Sequence, residues 1–148
     1  MNRTVIALER FEDAGRKVAE FLHADLIRYS EDAFSLAFSR SDAIVAVMAS
    51  GIAVRAIAPL LKDKWIDPAV VVVDPGLSFA VPLAGGHHGA NDIARELAGL
   101  GLTAVITTAT EREGKAAVEV VAAREGCRVL NHASTVSVNS ALLDGEVP

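Results

Sequence analysis

Two adjacent imidazoles, His87 and His88, stand in the run Gly85, Gly86, His87, His88, Gly89, Ala90, Asn91, Asp92, where the apolar stretch Phe79 to Ala84 gives way to Ile93, Ala94, Arg95, Glu96 and Leu97. Imidazole titrates near neutral pH, so either ring can take or give a proton there. The bordering glycines let the chain turn sharply and approach a ligand, and a helix start at Ala90 and Asn91 offers unpaired N–H groups. This combination suits acid–base chemistry beside an anion. A second turn of the same kind, Met48 to Arg55, follows the run Ala43 to Val47. Ser50 reads as an N-cap, Gly51 permits close approach, Ile52 opens a helical spacing through Ala56 and Leu60, and Arg55 lies about one turn in.

Neither turn matches a stronger motif. No G-x-S-x-G elbow surrounds Ser50, which disfavours a serine hydrolase. Adjacent histidines lack the i, i+4 spacing of a helical zinc pair, and His23 and His132 are distant in sequence, so no protein-bound metal is expected. A Walker lysine and G-x-G-x-x-G spacing are also missing, which ranks a nucleotide site low. Asp74 ends a valine run, where it could orient a ligand or close an Asx turn ahead of Pro75 and Gly76. Thr107 and Thr108 end another strand-like run and are further binding candidates, although one of them could cap the next helix.

These residues must be held by an alternation of strand-like and helical runs. Strands are expected at Thr4 to Leu8, Asp25 to Tyr29, Ala43 to Val47, Ala69 to Val73 and Thr103 to Thr107. Helices are expected at Glu12 to His23, Ala33 to Ser39, from Gly51, from about Ala90 to Leu100, and from about Arg112 to Arg124, the last with capping-box spacing at Thr110 and Glu113. Asp74, Pro75 and Gly76 predict a turn after which Phe79 to Leu83 pairs back antiparallel, with Pro82 at an edge or irregular position. Cys127 to Leu130 reads as a strand with a half-buried thiol, and a terminal helix ends near Leu143. The pattern predicts an α/β fold: an open, mostly parallel sheet with helices on both faces and a short antiparallel hairpin near residues 69–84. In such sheets ligands bind outside the carboxyl ends of the strands, so the two glycine turns are expected to form two walls of one crevice.

The chain has 148 residues, enough for one domain, residues 1–148, with a core of its own. A net charge of −5 without a basic cluster argues against nucleic acid but leaves room for a small anion at a helix start. The single cysteine excludes an intrachain disulfide. No apolar run is long enough for a membrane helix and no secretory pattern precedes Thr4, so the expectation is a cytoplasmic protein without a membrane partner.

Several ordered stretches together are more specific than either turn: Met48 to Leu61, then Lys64, Trp65, Ile66, Asp67, Pro68, Ala69 with the valine run and Asp74, then Leu83 to Leu97, and Val105 to Glu111. They resemble the N-terminal domain of the CbiG family, the cobalt-precorrin-5A hydrolases of anaerobic cobalamin (vitamin B12) biosynthesis. Val138 to Gly145 resembles the start of that family's middle segment, which here takes in about residues 131–148. The resemblance implies hydrolytic opening of the cobalt-precorrin-5A lactone to cobalt-precorrin-5B with release of acetaldehyde. It also implies no protein-bound cofactor, because cobalt arrives in the substrate; contact between an imidazole and that cobalt stays open. Family members usually carry a further C-terminal domain. The expectation is one part of a split enzyme, working with a separate C-terminal domain protein or other enzymes of the pathway, or as a homo-oligomer. In that chemistry His87 or His88 would be the base, N–H groups near Gly89 and Ala90 or Gly51 and Ile52 would hold the oxyanion, and Arg55 would bind a peripheral carboxylate. A corrinoid-binding scaffold without chemistry of its own is the alternative.

Overall fold

The computed structural model describes residues 1–109 and 114–145. Backbone packing divides the chain into two compact units, Met1–Val105 and Ile106–Pro148, where the sequence reads as one domain. The first unit runs β1 (Arg3–Ala7), a 3-10 turn, α1 (Glu12–Leu22), β2 (Asp25–Arg28), α2 (Ala33–Arg40), β3 (Ala43–Val47), α3 (Ser50–Ile57), β4 (Ala69–Val73), β5 (Phe79–Ala84), a 3-10 turn (Gly86–His88), α4 (Ala90–Glu96), a second 3-10 turn (Leu97–Leu100) and β6 (Thr103–Ala104). The strands form one sheet in the order β2-β1-β3-β4-β5-β6. Every pairing is parallel except β4 with β5. The expected α/β architecture, its hairpin and the crossover beyond it are therefore all present.

Strands β3 and β4 are buried along their whole length, as β-branched runs in a sheet covered on both faces must be. Side chains alternate across the sheet. Ile6, Ile44, Ala46, Val70 and Val72 point to one side and pack with Phe34 and Ala37 of α2 and Ala53 and Ile57 of α3. Val5, Val45 and Val71 point the other way, toward α1, α4 and the 3-10 turn after it, where Val18, Leu22, Ile93 and Leu97 are buried. Arg3 joins the sheet to α4 on that side through an ion pair with Glu96 at 2.9 Å.

The β4–β5 hairpin turns on one carboxylate. Asp74 Oδ1 accepts from the Ser78 N–H at 2.8 Å and the Phe79 N–H at 2.6 Å, while Oδ2 accepts from the Gly76 N–H at 3.1 Å. Pairing then runs Val73↔Ala80, Val72↔Val81 and Val71↔Pro82, but the next partner of Val70 is Ala84, so Leu83 is the extra residue of a bulge. Pro82 thus occupies the irregular position its missing N–H predicts. The same proline limits β6. The Ala80 carbonyl faces β6 and accepts from Val105 N–H at 2.9 Å, but Pro82, next in that phase, has no donor. The strand expected at Thr103 to Thr107 ends at Ala104 for this reason.

Other boundaries move as well. Ala49, with extended backbone angles, holds the N-cap position of α3 and makes no side-chain cap bond, so Ser50 is the first helical residue and not the cap. In the second unit α5 covers Val118–Arg124, and residues 114–117 of the expected helix are not part of it; its expected start at Arg112, with Thr110 and Glu113, lies outside the described residues. The Cys127 to Leu130 run pairs with no strand among the described residues: Cys127 is exposed and Leu130 is 97% exposed. A 3-10 turn (His132–Ser134) leads into α6 (Thr135–Asp144), the expected terminal helix. Asn139 of α6 ties the unit together, accepting from the Val118 N–H at 3.0 Å and donating to the buried Glu119 carboxylate at 2.8 Å.

Two stability effects follow from this geometry. His23 closes α1 in the left-handed region, with φ 51°, a conformation that charges a side-chain-bearing residue ~1 kcal/mol relative to glycine. His23→Gly is expected to raise the denaturant midpoint at unchanged slope; a lower midpoint would contradict the assignment. Asp74→Ala strips three backbone donors of a charged acceptor and is expected to cost ~2–3 kcal/mol, with Asp74→Asn, which keeps one oxygen, losing less. Equal losses in the two variants would show that the carboxylate does not hold the hairpin.

Candidate functional site

Because β5 runs against β4, its carboxyl end lies at the opposite edge of the sheet from the carboxyl ends of β1, β3 and β4. Val70 pairs with Ala84, and Ala43 with Ala69, so the Gly85–Gly89 turn emerges beside the amino ends of β3 and β4. Ser50 and Gly51 follow Val47, which pairs with Val73 at the other edge. A five-residue strand separates the two turns, about 15 Å. The expectation that they wall one crevice fails: reversing one strand sends its following loop to the far side.

At the carboxyl edge the structure brings together Ser50, Gly51, Ile52, Arg55 and Asp74. Met48 N–H bonds the Val73 carbonyl at 3.1 Å, which sets the two loops side by side. The Arg55 guanidinium folds back over Gly51, 3.7 Å from where a β-carbon would stand. Asp74 is committed to its own turn, in the Asx role. Ile52 N–H is spent on the Ala49 carbonyl at 3.0 Å, which removes it as an oxyanion donor. Thr107 and Thr108 fall in the second unit, past the end of β6.

At the amino edge Gly85, Gly86, His87, His88 and Gly89 form a tight turn. Gly85 has φ 68° and lies so close to β4 that a β-carbon would stand 3.0 Å from the Ala69 Cα; Gly89 has φ 109°. Both conformations exclude ordinary side chains. The Gly85 carbonyl accepts from His88 N–H at 2.9 Å and Ala90 N–H at 3.1 Å, so the Ala90 donor is spent too. Ala90 and Asn91 are buried and pack the turn against the sheet. Both histidines are half-buried.

Facing this turn is a loop that the sequence reading quoted as a motif but did not place in the site. Asp67 Oδ2 accepts from the Lys62 and Asp63 N–H groups at 2.8 and 3.0 Å, and Asp63 Oδ1 accepts from Trp65 N–H at 2.9 Å. With its carboxylates turned onto its own backbone, the loop projects Lys62, Lys64 and Trp65. The Trp65 indole meets the His88 imidazole edge to face, with ring centroids 5.0 Å apart, and the Lys64 ammonium stands 4.9 Å from the centre of the indole. Between loop and turn lies an open cleft of about 340 Å³ lined by Leu61, Lys62, Asp63, Lys64, Asp67, Ala84 and Gly85. Gly85 brings the histidine turn to the edge of this cleft. The available signal was the chain's one tryptophan standing between charged residues just ahead of the valine run.

This arrangement sets two imidazoles near a loop that carries lysines and an indole. No group of histidine, cysteine and carboxylate side chains among the described residues has the arrangement of a metal site. No helix of the described residues is long and apolar enough to cross a membrane.

Comparison with known proteins agrees with this reading of the fold. Residues 32–111, from α2 through both edge turns and past β6, match the family model described as Cobalamin synthesis G N-terminal. The cobalt-precorrin-5A hydrolase of Salmonella typhimurium is 40% identical over 109 residues, covering 72% of this chain and 31% of that protein. The enzyme of the same name from Priestia megaterium is 38% identical over 91 residues, or 60% of this chain and 24% of that protein. The crystal structure of a cobalamin biosynthesis protein G homolog from Sulfolobus solfataricus superposes with a TM-score of 0.68 at 35% identity, over 97% of this chain and 46% of that one. The chain thus spans a third or less of the two hydrolases and just under half of the solved homolog. With more than half of its length matched by the family model, the chain belongs to the cobalamin synthesis G (CbiG) N-terminal family.

Proposed function

We propose that this chain carries the histidine-bearing part of a cobalt-precorrin-5A hydrolase, opening the substrate's lactone to give cobalt-precorrin-5B and acetaldehyde. The observation that supports this reading most is that both imidazoles stand on one glycine-fixed turn whose first residue, Gly85, lines a cleft together with Lys62 and Lys64. Within a family whose relatives are named for this hydrolysis, that is where a base and an anionic macrocycle would meet.

Ester hydrolysis needs a water at the acyl carbon, a base for its proton, and donors for the oxyanion. His87 or His88 takes the proton as the water oxygen bonds to the lactone carbonyl. Collapse of the tetrahedral intermediate breaks the acyl C–O bond, leaving a carboxylate and an alkoxide. Release of the two-carbon fragment then follows if that alkoxide becomes the aldehyde carbonyl while its C–C bond to the ring breaks and the electron pair stays with the macrocycle. No external oxidant is needed, and cobalt enters with the substrate. At about 340 Å³ the cleft is at the lower end of small-ligand pockets, about 300–1,000 Å³, so much of a macrocycle would stand outside it. A separate C-terminal chain or a second copy would cover the rest of the substrate and supply oxyanion donors that Ala90 and Ile52 do not.

The test is acetaldehyde release from cobalt-precorrin-5A by the purified chain, alone and with a relative's C-terminal region added as a separate polypeptide. His87→Ala or His88→Ala in the folded protein is expected to cut the rate by about 10²–10⁴, the usual worth of a positioned base. Full activity in both variants would end the assignment. Saturable binding without aldehyde under either condition would favour the corrinoid-holding scaffold.

A further inference from the structure

We propose that Trp65 is a positioning residue for the hydrolysis, its indole setting the plane of the His88 imidazole so that this ring presents its nitrogens in a fixed direction. The inference rests on the function proposed above and names His88 as the ring through which Trp65 bears on the rate. It needs no contact between the indole and the substrate. The two rings stand edge to face, with centroids 5.0 Å apart and planes at 69°, inside the range that aromatic pairs favour. Rotation about the second side-chain torsion of a histidine is broad, without sharp staggered wells. A base, however, works only while its acceptor nitrogen is within hydrogen-bond reach of the proton it takes. A second ring packed against the imidazole narrows that rotation to what a base requires.

The backbones that carry the two rings are tied to one residue, Ala69. Gly85 packs so closely on it that a β-carbon would stand 3.0 Å from the Ala69 Cα, and the Gly85 carbonyl accepts from His88 N–H at 2.9 Å, which fixes where the imidazole leaves its turn. Trp65 lies four positions before the same Ala69. There the Asp63 carbonyl accepts from Ile66 N–H at 3.1 Å and Asp67 N–H at 2.9 Å, while Asp63 Oδ1 accepts from Trp65 N–H at 2.9 Å. The segment is therefore a closed turn that runs through buried Pro68 into β4. An indole on a clamped turn can hold an imidazole on a glycine-fixed one. An edge-to-face pair contributes enough beyond its buried area to shift a ring's orientational population by about two- to tenfold. That magnitude separates positioning from the loss of a base, which costs about 10²–10⁴ in rate.

The experiment replaces the half-buried Trp65 of the full chain by Leu, by Met as a second ringless variant, and by Phe, which keeps a ring. Imidazole proton resonances are assigned with His87→Ala and His88→Ala. Ring current from the indole is expected to displace the His88 resonances, and both ringless variants to return them toward the position of a free histidine, with Trp65→Phe between. In the acetaldehyde assay Trp65→Leu is expected to lower kcat about two- to tenfold at unchanged KM, and Trp65→Phe to regain most of that loss. Made on His88→Ala, Trp65→Leu is expected to cost nothing further, the non-additivity of a residue that acts through its neighbour. Additive losses, a raised KM at unchanged kcat, or His88 resonances that stay in place in both ringless variants would each overturn the proposal. The resonances are read without substrate. A chain that releases no acetaldehyde yet shows them displaced, and restored in the ringless variants, fails the hydrolase reading and upholds the ring contact.

Discussion

One carboxylate decides at which edge of the sheet the glycine-histidine turn emerges. Asp74 gathers the N–H groups of Gly76, Ser78 and Phe79, and by doing so turns the chain back along β4. Had the chain crossed over to a parallel strand instead, the glycine-histidine turn would have joined Ser50 and Gly51 at the carboxyl edge. The reversal puts it at the amino edge, against the loop that leads into β4. Cleft, imidazoles and lysines are neighbours because of a turn at the opposite end of the hairpin.

Much of this was legible in the residues. The all-valine β4, the flanking Asp-Pro-Gly turn, the awkward Pro82 and the helical spacing after Ala90 each led to the element that exists. So did the likeness to one family, which the comparisons bear out. What went astray was the joining of two correct statements. The hairpin was expected, and so was a ligand crevice at the carboxyl ends of parallel strands, yet the hairpin exempts β5 from that rule. The Lys62–Asp67 loop was missed for a different reason: its shape depends on carboxylates bonding backward to local N–H groups, which spacing alone does not reveal. Ser50 missed the cap position by one residue, a shift set by the backbone at Ala49. In the second unit, Cys127 to Leu130 has the composition of a strand but no partner, and composition cannot supply one.

Family membership and geometry constrain different things. The match over residues 32–111 includes both edges of the sheet, so it does not by itself choose between them. The choice comes from topology. Among the described residues the amino edge brings the histidine turn to a cleft that Lys62 and Lys64 line, while the carboxyl edge spends Asp74 on its turn and folds Arg55 over its own helix start. Within the second unit, Asn139 does for α5 what a serine cap does elsewhere, from a neighbouring helix. A side chain borrowed across the unit makes the two helices interdependent.

The extra residue at Leu83 has a consequence for handedness of presentation. In a pleated strand each added position inverts the outlook of everything after it, so the bulge fixes which surface of the sheet the chain faces when it leaves β5. With it, the exit phase delivers α4 to the surface shared with α1. Strike out that one position and the same imidazoles would start from the opposite parity, aimed at the α2–α3 layer. A single unpaired residue in the hairpin acts as the phase setting of the whole histidine turn.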